Sequence, residues 1–264
     1  MKKIIVLGGT GFVGTHVCEK LVREGWQVTV PTRRRSNADV VMHLPGLTVQ
    51  ELDVQDEAAL TRAASGHDAL VNLVAILHGT QAAFEHVHVA LPQKIAHACL
   101  AAGVAQVVHV SALGADSLQP ALAPSMYLRT KGEGEAVLVQ AAMGGSAGDA
   151  AQAGFDLSIL RPSVIFGAED KFLNMFAKLQ KMLPMVPLAG ADAKFQPVWV
   201  QDVATAVVRC LSGASAAPSP RVIEAVGPEI LTLKQLVQIA AQLSGAGGGM
   251  GRLVIPLPAW AGRL

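Results

Sequence analysis

The chain has 264 residues, 51% of them hydrophobic, which is enough for one large α/β domain with or without a small additional lobe. Its net charge of +1 gives no sign of a nucleic-acid surface or of an acidic partner. Three widely spaced cysteines without a C-x-x-C motif predict reduced core thiols, a cytoplasmic protein and no metal site. Apolar runs fall short of the roughly 20 residues that span a bilayer, and residues 4–7 predict a strand rather than a signal peptide.

The first predicted elements are an apolar strand, a glycine-rich turn and an amphipathic helix within residues 3–23. Backbone N–H groups in such a turn and at a helix N-terminus favour an anion, so the pattern predicts a pyrophosphate site. Gly9 and Gly11 allow the turn and the approach of phosphate, and Gly14 allows the helix to pack closely on the strand. The predicted dinucleotide contacts at this turn are Gly8, Thr10, Gly11, Phe12, Val13 and Gly14. The alternative is a glycine-rich turn that only packs a helix on a sheet.

Residues 26–30 alternate as a second strand, and Arg33 and Arg34 follow it. In NAD-binding sites an acidic residue about 20 residues past the glycines holds the ribose 2′-hydroxyl. Here arginines stand instead, and a planar guanidinium can hold a 2′-phosphate through paired hydrogen bonds. The sequence therefore favours NADP(H), with NAD(H) as the alternative cofactor and a solvated basic loop as the alternative interpretation.

Strand and helix patterns continue to alternate along the chain. Strands are predicted at residues 47–52, 68–75, 107–110 and 155–160, and helices at 56–65, 85–102 and 126–142. This alternation predicts a doubly wound parallel sheet of the Rossmann type, with strand order 3-2-1-4-5-6. The ligand is expected across the carboxyl ends of strands 1 and 4.

Beyond residue 161 the pattern loosens and predicts a small C-terminal substrate lobe. We expect a nucleotide-binding domain at 1–165 and a substrate-facing lobe at 166–264, of which about 197–226 returns to the sheet. A helix is predicted at residues 172–183. Two further helices are predicted, one that Asp202 caps and that ends at Leu211, and one that Thr232 caps and that ends at Leu243. Stretches rich in Gly, Ala and Ser at 143–154, 213–220 and 244–251 predict loose linkers.

Tyr127 is the only tyrosine of the chain, and Lys131 follows it by one helical turn. A phenol with its ordinary pKa near 10 is a poor base at neutral pH. The nearby ammonium and a cofactor cation are expected to stabilise the phenolate and to lower that pKa. The same phenol can donate a proton to an alkoxide or take one from a hydroxyl. Ser111, at the end of the fifth strand, would hydrogen-bond the reacting oxygen. The alternatives are a structural tyrosine, a surface lysine and a serine that caps a loop.

The glycine turn at 8–14, Ser111 and the stretch YLRTKGEGE at 127–135 resemble the extended and atypical short-chain dehydrogenase/reductase superfamily, the NAD-dependent epimerase/dehydratase group. Three further stretches, at residues 72–77, 109–116 and 161–167, point to one subgroup of this superfamily. They resemble bacterial relatives of the Rossmann-type accessory subunit of respiratory complex I, NADH:ubiquinone oxidoreductase. The resemblance covers nearly the whole chain.

The resemblance implies a bound nicotinamide nucleotide, usually NADPH in the complex I branch. It implies that Asp53 and Val54 contact adenine, that Ala75 lies along the ribose and that Lys131 holds the nicotinamide ribose. The backbone of residues 162–165 would flank the carboxamide. The remaining cofactor-binding residues that it indicates are Leu73, Val74, Pro162, Val164 and Ile165.

The chain departs from the family pattern at two places. On the helix after strand 4, where many relatives carry an asparagine, this chain has Val-His-Val at residues 87–89, which weakens an asparagine-based proton relay. The sequence also ends at Leu264, early for the family, which implies that part of the substrate lobe is absent from it.

Two functions are consistent with these observations. The first is an NADP(H)-dependent oxidoreductase or epimerase-like enzyme acting on a small apolar carbonyl or alcohol, which Ser111, Tyr127 and Lys131 favour. The second is a non-catalytic NAD(P)H-binding accessory, assembly or redox-sensing protein, which the apolar composition and the complex I resemblance favour. The second function includes peripheral association with the inner membrane or a respiratory complex. No residue identifies the small-molecule substrate.

Overall fold

The computed structural model describes residues 2–144, 154–182, 185–213, 219–245 and 253–257. The chain divides into two compact units, Met1–Pro162 with Gln201–Ala225 and Ser163–Val200 with Val226–Leu264. The three predicted linkers lie largely outside the described residues. No helix in the described part of the chain is long and apolar enough to cross a membrane.

Strands and helices alternate along Met1–Pro162, and the bounds below cover the described elements of both units. The strands are β1 Lys3–Leu7, β2 Gln27–Thr32, β3 Leu47–Glu51, β4 Ala69–Asn72, β5 Gln106–Val110, β6 Asp156–Pro162, β7 Ile165–Phe166, β8 Met185–Ala189, β9 Lys194–Phe195, β10 Val198–Trp199, β11 Arg221–Ala225, β12 Leu231–Thr232 and β13 Leu253–Leu257. The helices are α1 Phe12–Arg23, α2 Glu57–Ala64, α3 Gln81–Glu85, α4 Leu91–Ala102, α5 Met126–Ala142, α6 Phe172–Met182, α7 Val200–Leu211 and α8 Leu233–Leu243. A π-helical turn, His86–Ala90, joins α3 to α4.

Seven strands of the described chain form one parallel sheet in the order β11-β6-β5-β4-β1-β2-β3. The predicted order 3-2-1-4-5-6 is confirmed, and β11 adds a further strand beside β6. The strand order reverses between β1 and β4. The chain segments that leave these two strands therefore diverge at their carboxyl ends, which is where doubly wound sheets bind ligands.

The sheet of the first unit is buried on both faces. Ile4 and Val6 contribute to one core cluster, and Ile5 and Leu7 contribute to the other. α1 and α7 cover the first face with Val17, Leu21, Val207 and Leu211. α2, α4 and α5 cover the second face with Leu60, Ile95 and Leu138. Full burial of each such side chain stabilises the fold by roughly 1.5–3 kcal/mol.

Three element boundaries differ from the sequence predictions. β4 ends at Asn72, because the Asn72 Oδ1 accepts a hydrogen bond from the Val74 N–H at 3.1 Å and turns the chain out of the sheet. The helical segment before α4 begins four residues earlier than predicted, with Thr80 as its cap. The cap predicted at Asp202 is wrong, because α7 already begins at Val200 and Asp202 lies in its first turn.

The second unit contains α6 and α8, which pack around Phe176, Leu233 and Val237. Its strands form two-stranded ladders, β7 with β10 and β8 with β13 in parallel, and β9 with β12 antiparallel. β10 lies within the short strand that the sequence predicts at residues 197–200. The other two-residue strands, β7, β9 and β12, were not predicted, since such short segments show no periodicity. α8 begins as predicted, with Thr232 and Gln235 forming a reciprocal capping box.

Candidate functional site

The glycine turn between β1 and α1 is closed by backbone contacts that leave no room for a side chain at Gly14. The Gly11 N–H donates to the Gly8 carbonyl oxygen at 3.0 Å. Gly8 has a φ of +78°, in the left-handed region that favours glycine. A Cβ on Gly14 would overlap the Gly8 oxygen and lie 2.6 Å from the Gly9 Cα. The close approach of helix to turn that Gly14 predicted is therefore confirmed.

Gly11 is the open point of this turn. It is exposed, and a Cβ there would meet only the Gly8 oxygen, at 3.3 Å. No side chain of the described residues caps α1, and its first turn contains no acidic residue. The N–H groups of Phe12, Val13 and Gly14 are therefore donors without helical partners, beside the half-buried Thr10. Donors and open space at a helix N-terminus fit a pyrophosphate.

The end of β4 lies against the same turn. The Leu73 N–H donates to the Leu7 oxygen at 2.9 Å. A Cβ on Gly8 would lie 3.2 Å from the Leu73 carbonyl carbon and 3.3 Å from the Val74 nitrogen. The structure thus brings Leu73 and Val74 to the glycine turn, and Ala75 follows them as an exposed residue.

Arg33 and Arg34 are exposed at the end of β2, and neither guanidinium has an ion-pair partner among the described residues. The Thr32 Oγ1 donates to the Arg34 carbonyl oxygen at 3.1 Å and holds the backbone of this loop. Both guanidinium groups are therefore free to bind a phosphate.

Asp53 and Val54 follow β3, the neighbour of β2. The Asp53 Oδ1 accepts from the Gln55 N–H at 3.0 Å, which makes a tight polar turn. The Lys94 ammonium donates to the Gln55 carbonyl oxygen at 2.7 Å and ties the turn to α4. This loop is exposed at Asp53 and half-buried at Val54, where the adenine contacts were predicted.

α5 places Tyr127 and Lys131 on one side, one helical turn apart. Two glycines let this helix approach its neighbours. A Cβ on Gly132 would overlap a backbone oxygen of the loop after β5, and one on Gly134 would overlap a backbone oxygen of the π-helical turn. A helix-interior glycine costs about 1 kcal/mol relative to alanine, so close packing is the reason for both.

Lys131 is almost completely buried, with 1% of its surface exposed. Its ammonium donates to the Val110 carbonyl oxygen at 2.9 Å, which uses one of its three N–H groups. Burial lowers the pKa of Lys131 to about 8, and the charge of Glu135 partly offsets that lowering. The buried ammonium thus has N–H donors left for a ligand.

The Tyr127 ring packs in T-shaped contacts with the rings of Phe84, at 6.2 Å, and His88, at 5.4 Å. Burial raises the pKa of the Tyr127 phenol above its ordinary value. This direction is opposite to the lowering expected from the Lys131 ammonium, because the phenol has lost water around it. A lowering by the ammonium together with a cofactor cation stays a prediction. A phenol of raised pKa stays protonated at neutral pH and is better suited to donating a proton than to accepting one.

Ser111 directly follows β5 and is 5% exposed. Its Oγ has no hydrogen-bond partner among the described residues, while its backbone N–H donates to the Leu160 oxygen at 2.7 Å. An unpartnered buried hydroxyl costs about 1–3 kcal/mol. The fixed backbone and the free Oγ together indicate a place for a hydrogen-bonding ligand.

Pro162 ends β6, and its oxygen accepts from the Leu113 N–H at 2.8 Å, so it lies beside the segment after Ser111. Val164 and Ile165 belong to the second unit, where Ile165 pairs with Val198 in the ladder of β7 and β10. The carboxyl edge of the sheet thus brings together the glycine turn and the ends of β4, β5 and β6.

The hydrogen bonds of His88 could not be predicted from the sequence. His88 lies in the π-helical turn, 2% exposed, and its Nε2 accepts from the Ile76 N–H at 3.2 Å. Its Nδ1 bonds the Thr130 Oγ1 at 3.0 Å. Burial, followed by the charge of Lys131, lowers the pKa of His88 to about 4, so the ring is neutral. The one signal in the sequence was that residues 87–89 lack the asparagine that many relatives carry on this helix.

A second unpredicted contact joins the side chains of Asn72 and His109 at 3.0 Å. The Asn72 Oδ1 already accepts from a backbone N–H, so its amide donates to the His109 Nδ1. The His109 Nε2 then bears the proton, and it has no partner among the described residues. This neutral ring lies beneath the site, one residue before Val110.

The third unpredicted contact is an ion pair between Glu135 of α5 and Arg161 of β6. The Arg161 Nη2 lies 2.6 Å from the Glu135 Oε2, and its Nε lies 3.1 Å from the Oε1. The sequence did contain a signal, because Glu135 follows Lys131 by the same four residues that separate Lys131 from Tyr127.

Comparison with known proteins assigns the family. The sequence model of the NAD dependent epimerase/dehydratase family matches residues 4–225. The chain belongs to this family. The predicted superfamily is thereby confirmed, and the glycine turn belongs to an NAD-binding Rossmann fold.

Curated relatives confirm the narrower resemblance as well. The mitochondrial NADH dehydrogenase [ubiquinone] 1 alpha subcomplex subunit 9 of Mus musculus is 33% identical over 98% of this chain and 66% of its own length. The same subunit of Arabidopsis thaliana is 29% identical over 89% of this chain and 56% of its own. A ceramide reductase of Caulobacter vibrioides is 28% identical over 78% of this chain and 59% of its own. The chain thus spans less than two thirds of the length of these relatives.

Solved structures show the same fold. A dTDP-glucose 4,6-dehydratase from Streptomyces venezuelae with NAD bound has a TM-score of 0.79 and 23% identity, over 97% of this chain and 84% of that one. A UDP-glucose 4-epimerase from Thermus thermophilus in complex with NAD has a TM-score of 0.76 and 22% identity, over 99% and 88%. At such identities the likeness concerns the fold alone.

Proposed function

We propose that this family member is an NADP(H)-dependent oxidoreductase that acts on a small apolar carbonyl or alcohol, with reduction as its favoured direction. The observation that supports this most is the unpartnered, buried Ser111 Oγ beside Val110, whose oxygen binds the Lys131 ammonium. A hydroxyl and an ammonium with free N–H groups at one sheet edge suit a polar ligand in a largely apolar site.

Each side chain has a distinct role in this proposal. Hydride for the carbonyl carbon would come from the nicotinamide of a bound cofactor. Tyr127, protonated because burial raises its pKa, donates a proton to the oxygen on which negative charge develops. The Ser111 hydroxyl hydrogen-bonds that same oxygen, and Lys131 binds the ribose hydroxyls with its remaining N–H groups.

The preference for NADP(H) rests on Arg33 and Arg34, which are exposed and have no ion-pair partner among the described residues. A 2′-phosphate would bind them through charge-assisted hydrogen bonds. The other cofactor contacts, at Asp53, Val54 and Ala75 and at residues 162–165, stay predictions, as does the division into domains 1–165 and 166–264.

NADPH oxidation against a panel of carbonyl compounds tests the catalytic proposal. The panel contains short aliphatic and aromatic ketones and, because one relative is named ceramide reductase, a ketone with a long alkyl chain. Turnover by the wild type that Tyr127→Phe abolishes supports the proposal. Binding of NADPH without turnover on any compound would contradict it and favour the second function.

The second function is a non-catalytic NAD(P)H-binding accessory or assembly protein of a respiratory complex at the inner membrane. Relatives named as NADH dehydrogenase subunits favour it. Native electrophoresis of membranes from the source cells tests it. Comigration of this protein with NADH:ubiquinone oxidoreductase activity supports the second function, and its recovery only in the cytosol contradicts it.

A further inference from the structure

α5 places a third ionisable side chain in line with Tyr127 and Lys131. Glu135 lies one helical turn beyond Lys131 and is fully buried. Both of its carboxylate oxygens accept hydrogen bonds from Arg161, at 3.1 and 2.6 Å. Glu135 and Arg161 thus form a buried ion pair with two charge-assisted hydrogen bonds. A fixed negative charge is therefore built into the helix one turn behind Lys131.

The other ionisable groups around Lys131 supply no negative charge. Tyr127, on the same helix, keeps its proton, because burial raises the pKa of its phenol. His88 of the π-helical turn and His109 of β5 are neutral rings, because burial and Lys131 lower their pKa values. In the described chain, Glu135 is the carboxylate whose charge favours the protonated form of Lys131.

Because Arg161 binds Glu135, the charge of Glu135 can stabilise the Lys131 ammonium without accepting hydrogen bonds from its N–H groups. A lone buried carboxylate would draw the ammonium into a direct ion pair and use its N–H groups. Here both carboxylate oxygens are bound by Arg161, and the Lys131 ammonium donates to the Val110 oxygen instead. Asp116 and Glu224 in turn favour the charged form of Arg161. The negative charge thus acts over a distance, and the remaining lysine N–H groups stay free for a ligand.

We propose that Glu135, held by Arg161, is a positioning residue that keeps the Lys131 ammonium charged and its N–H groups free for a ligand. The proposal rests on the proposed function where that ligand is taken to be the nucleotide ribose. In this proposal the ion pair of Glu135 and Arg161 does more than join α5 to β6, because it also stabilises the charge of Lys131.

Titration of Lys131 by NMR tests the proposal directly. The protein is labelled at its lysine side chains, and Lys131→Arg assigns the Lys131 signal by its loss. Glu135→Gln keeps the shape of the side chain and removes its charge, so Lys131 should titrate at least one pH unit lower than in the wild type. Glu135→Asp keeps the charge and should restore most of the wild-type value.

A double variant separates the charge from the structural role of the pair. Glu135→Met with Arg161→Met replaces the buried ions by apolar side chains of similar length, an exchange that folded proteins commonly tolerate. Lys131 should again titrate below the wild-type value, by less than in Glu135→Gln, because a positive charge is removed as well. If Lys131 titrates as in the wild type in both folded variants, the proposal is overturned and the pair is structural.

Calorimetry with NADPH tests the link to the ligand. If Lys131 titrates one pH unit lower, Glu135→Gln should bind NADPH about fivefold more weakly than the wild type at pH 8 and almost equally at pH 6. Equal losses at both pH values would contradict a role through Lys131. If the wild type binds no nucleotide, the proposed function fails, while the NMR titration still decides the role of Glu135.

Discussion

Replacement of Lys131 by methionine should change the stability of the protein in a pH-dependent way. Burial lowers the pKa of Lys131 from 10.5 to about 8 in the folded chain. Between these values the unfolded chain holds a proton that the folded chain has lost, so unfolding takes up a proton and becomes less favourable as the pH rises. The wild type therefore gains stability relative to Lys131→Met above pH 8, and below it the full cost of the buried ammonium remains.

The size of this effect follows from the shift in pKa. The full cost of the buried ammonium is about 3 kcal/mol. Between pH 7 and about 9.5 the unfolding free energy of the wild type should rise by roughly 2 kcal/mol relative to that of Lys131→Met. The lost hydrogen bond to the Val110 oxygen affects both measurements equally and cancels in the comparison.

Urea unfolding at the two pH values measures this difference. Trp26, 8% exposed in the core of the first unit, reports unfolding through its fluorescence. Lys178→Met, at an exposed position of α6, is the matched control, and its effect should be the same at both pH values. A constant stability difference between the wild type and Lys131→Met would refute the burial of a charged lysine at this site.

Three further predictions concern the nucleotide site. Gly14→Ala should destabilise the fold by about 1–3 kcal/mol or more, because its Cβ would overlap the Gly8 oxygen, and thermal melting measures the loss. Arg33→Ala with Arg34→Ala should weaken NADPH binding by ~1.5–3 kcal/mol while NADH binding changes little, and equal losses for both nucleotides would show a general electrostatic effect. Tyr127→Phe should lower reductase turnover at least ~10²-fold while NADPH affinity stays within a few-fold, and a change in melting temperature alone would make Tyr127 structural.

The order of strands and helices could be predicted because the local patterns agree with the packing. The apolar run of β1 is buried on both faces, and the amphipathic pattern of α1 covers one of them. Gly14 could be read because only a residue without Cβ allows this approach of helix to turn. The end of β4 could not be read, since it depends on a side-chain hydrogen bond of Asn72 that competes with the ladder.

The site could be predicted where it depends on spacing along one helix and not where it depends on burial. The pair of Tyr127 and Lys131 followed from a four-residue interval. The direction of the Tyr127 pKa shift did not, because Phe84 and His88, far away in sequence, bury the phenol. The ion pair of Arg161 with Glu135 was likewise not predictable, because the two residues are far apart in sequence and only the fold brings them together.

Isothermal titration of the protein with NADPH measures directly whether the glycine turn binds a nucleotide. We expect binding at one site per chain, and we expect Gly11→Val to abolish it. The variant should keep a folded core, because the one tight contact of a Cβ at this position is with the Gly8 oxygen, at 3.3 Å. Absence of binding to the wild type, or unchanged affinity in Gly11→Val, would contradict a nucleotide site at the glycine turn.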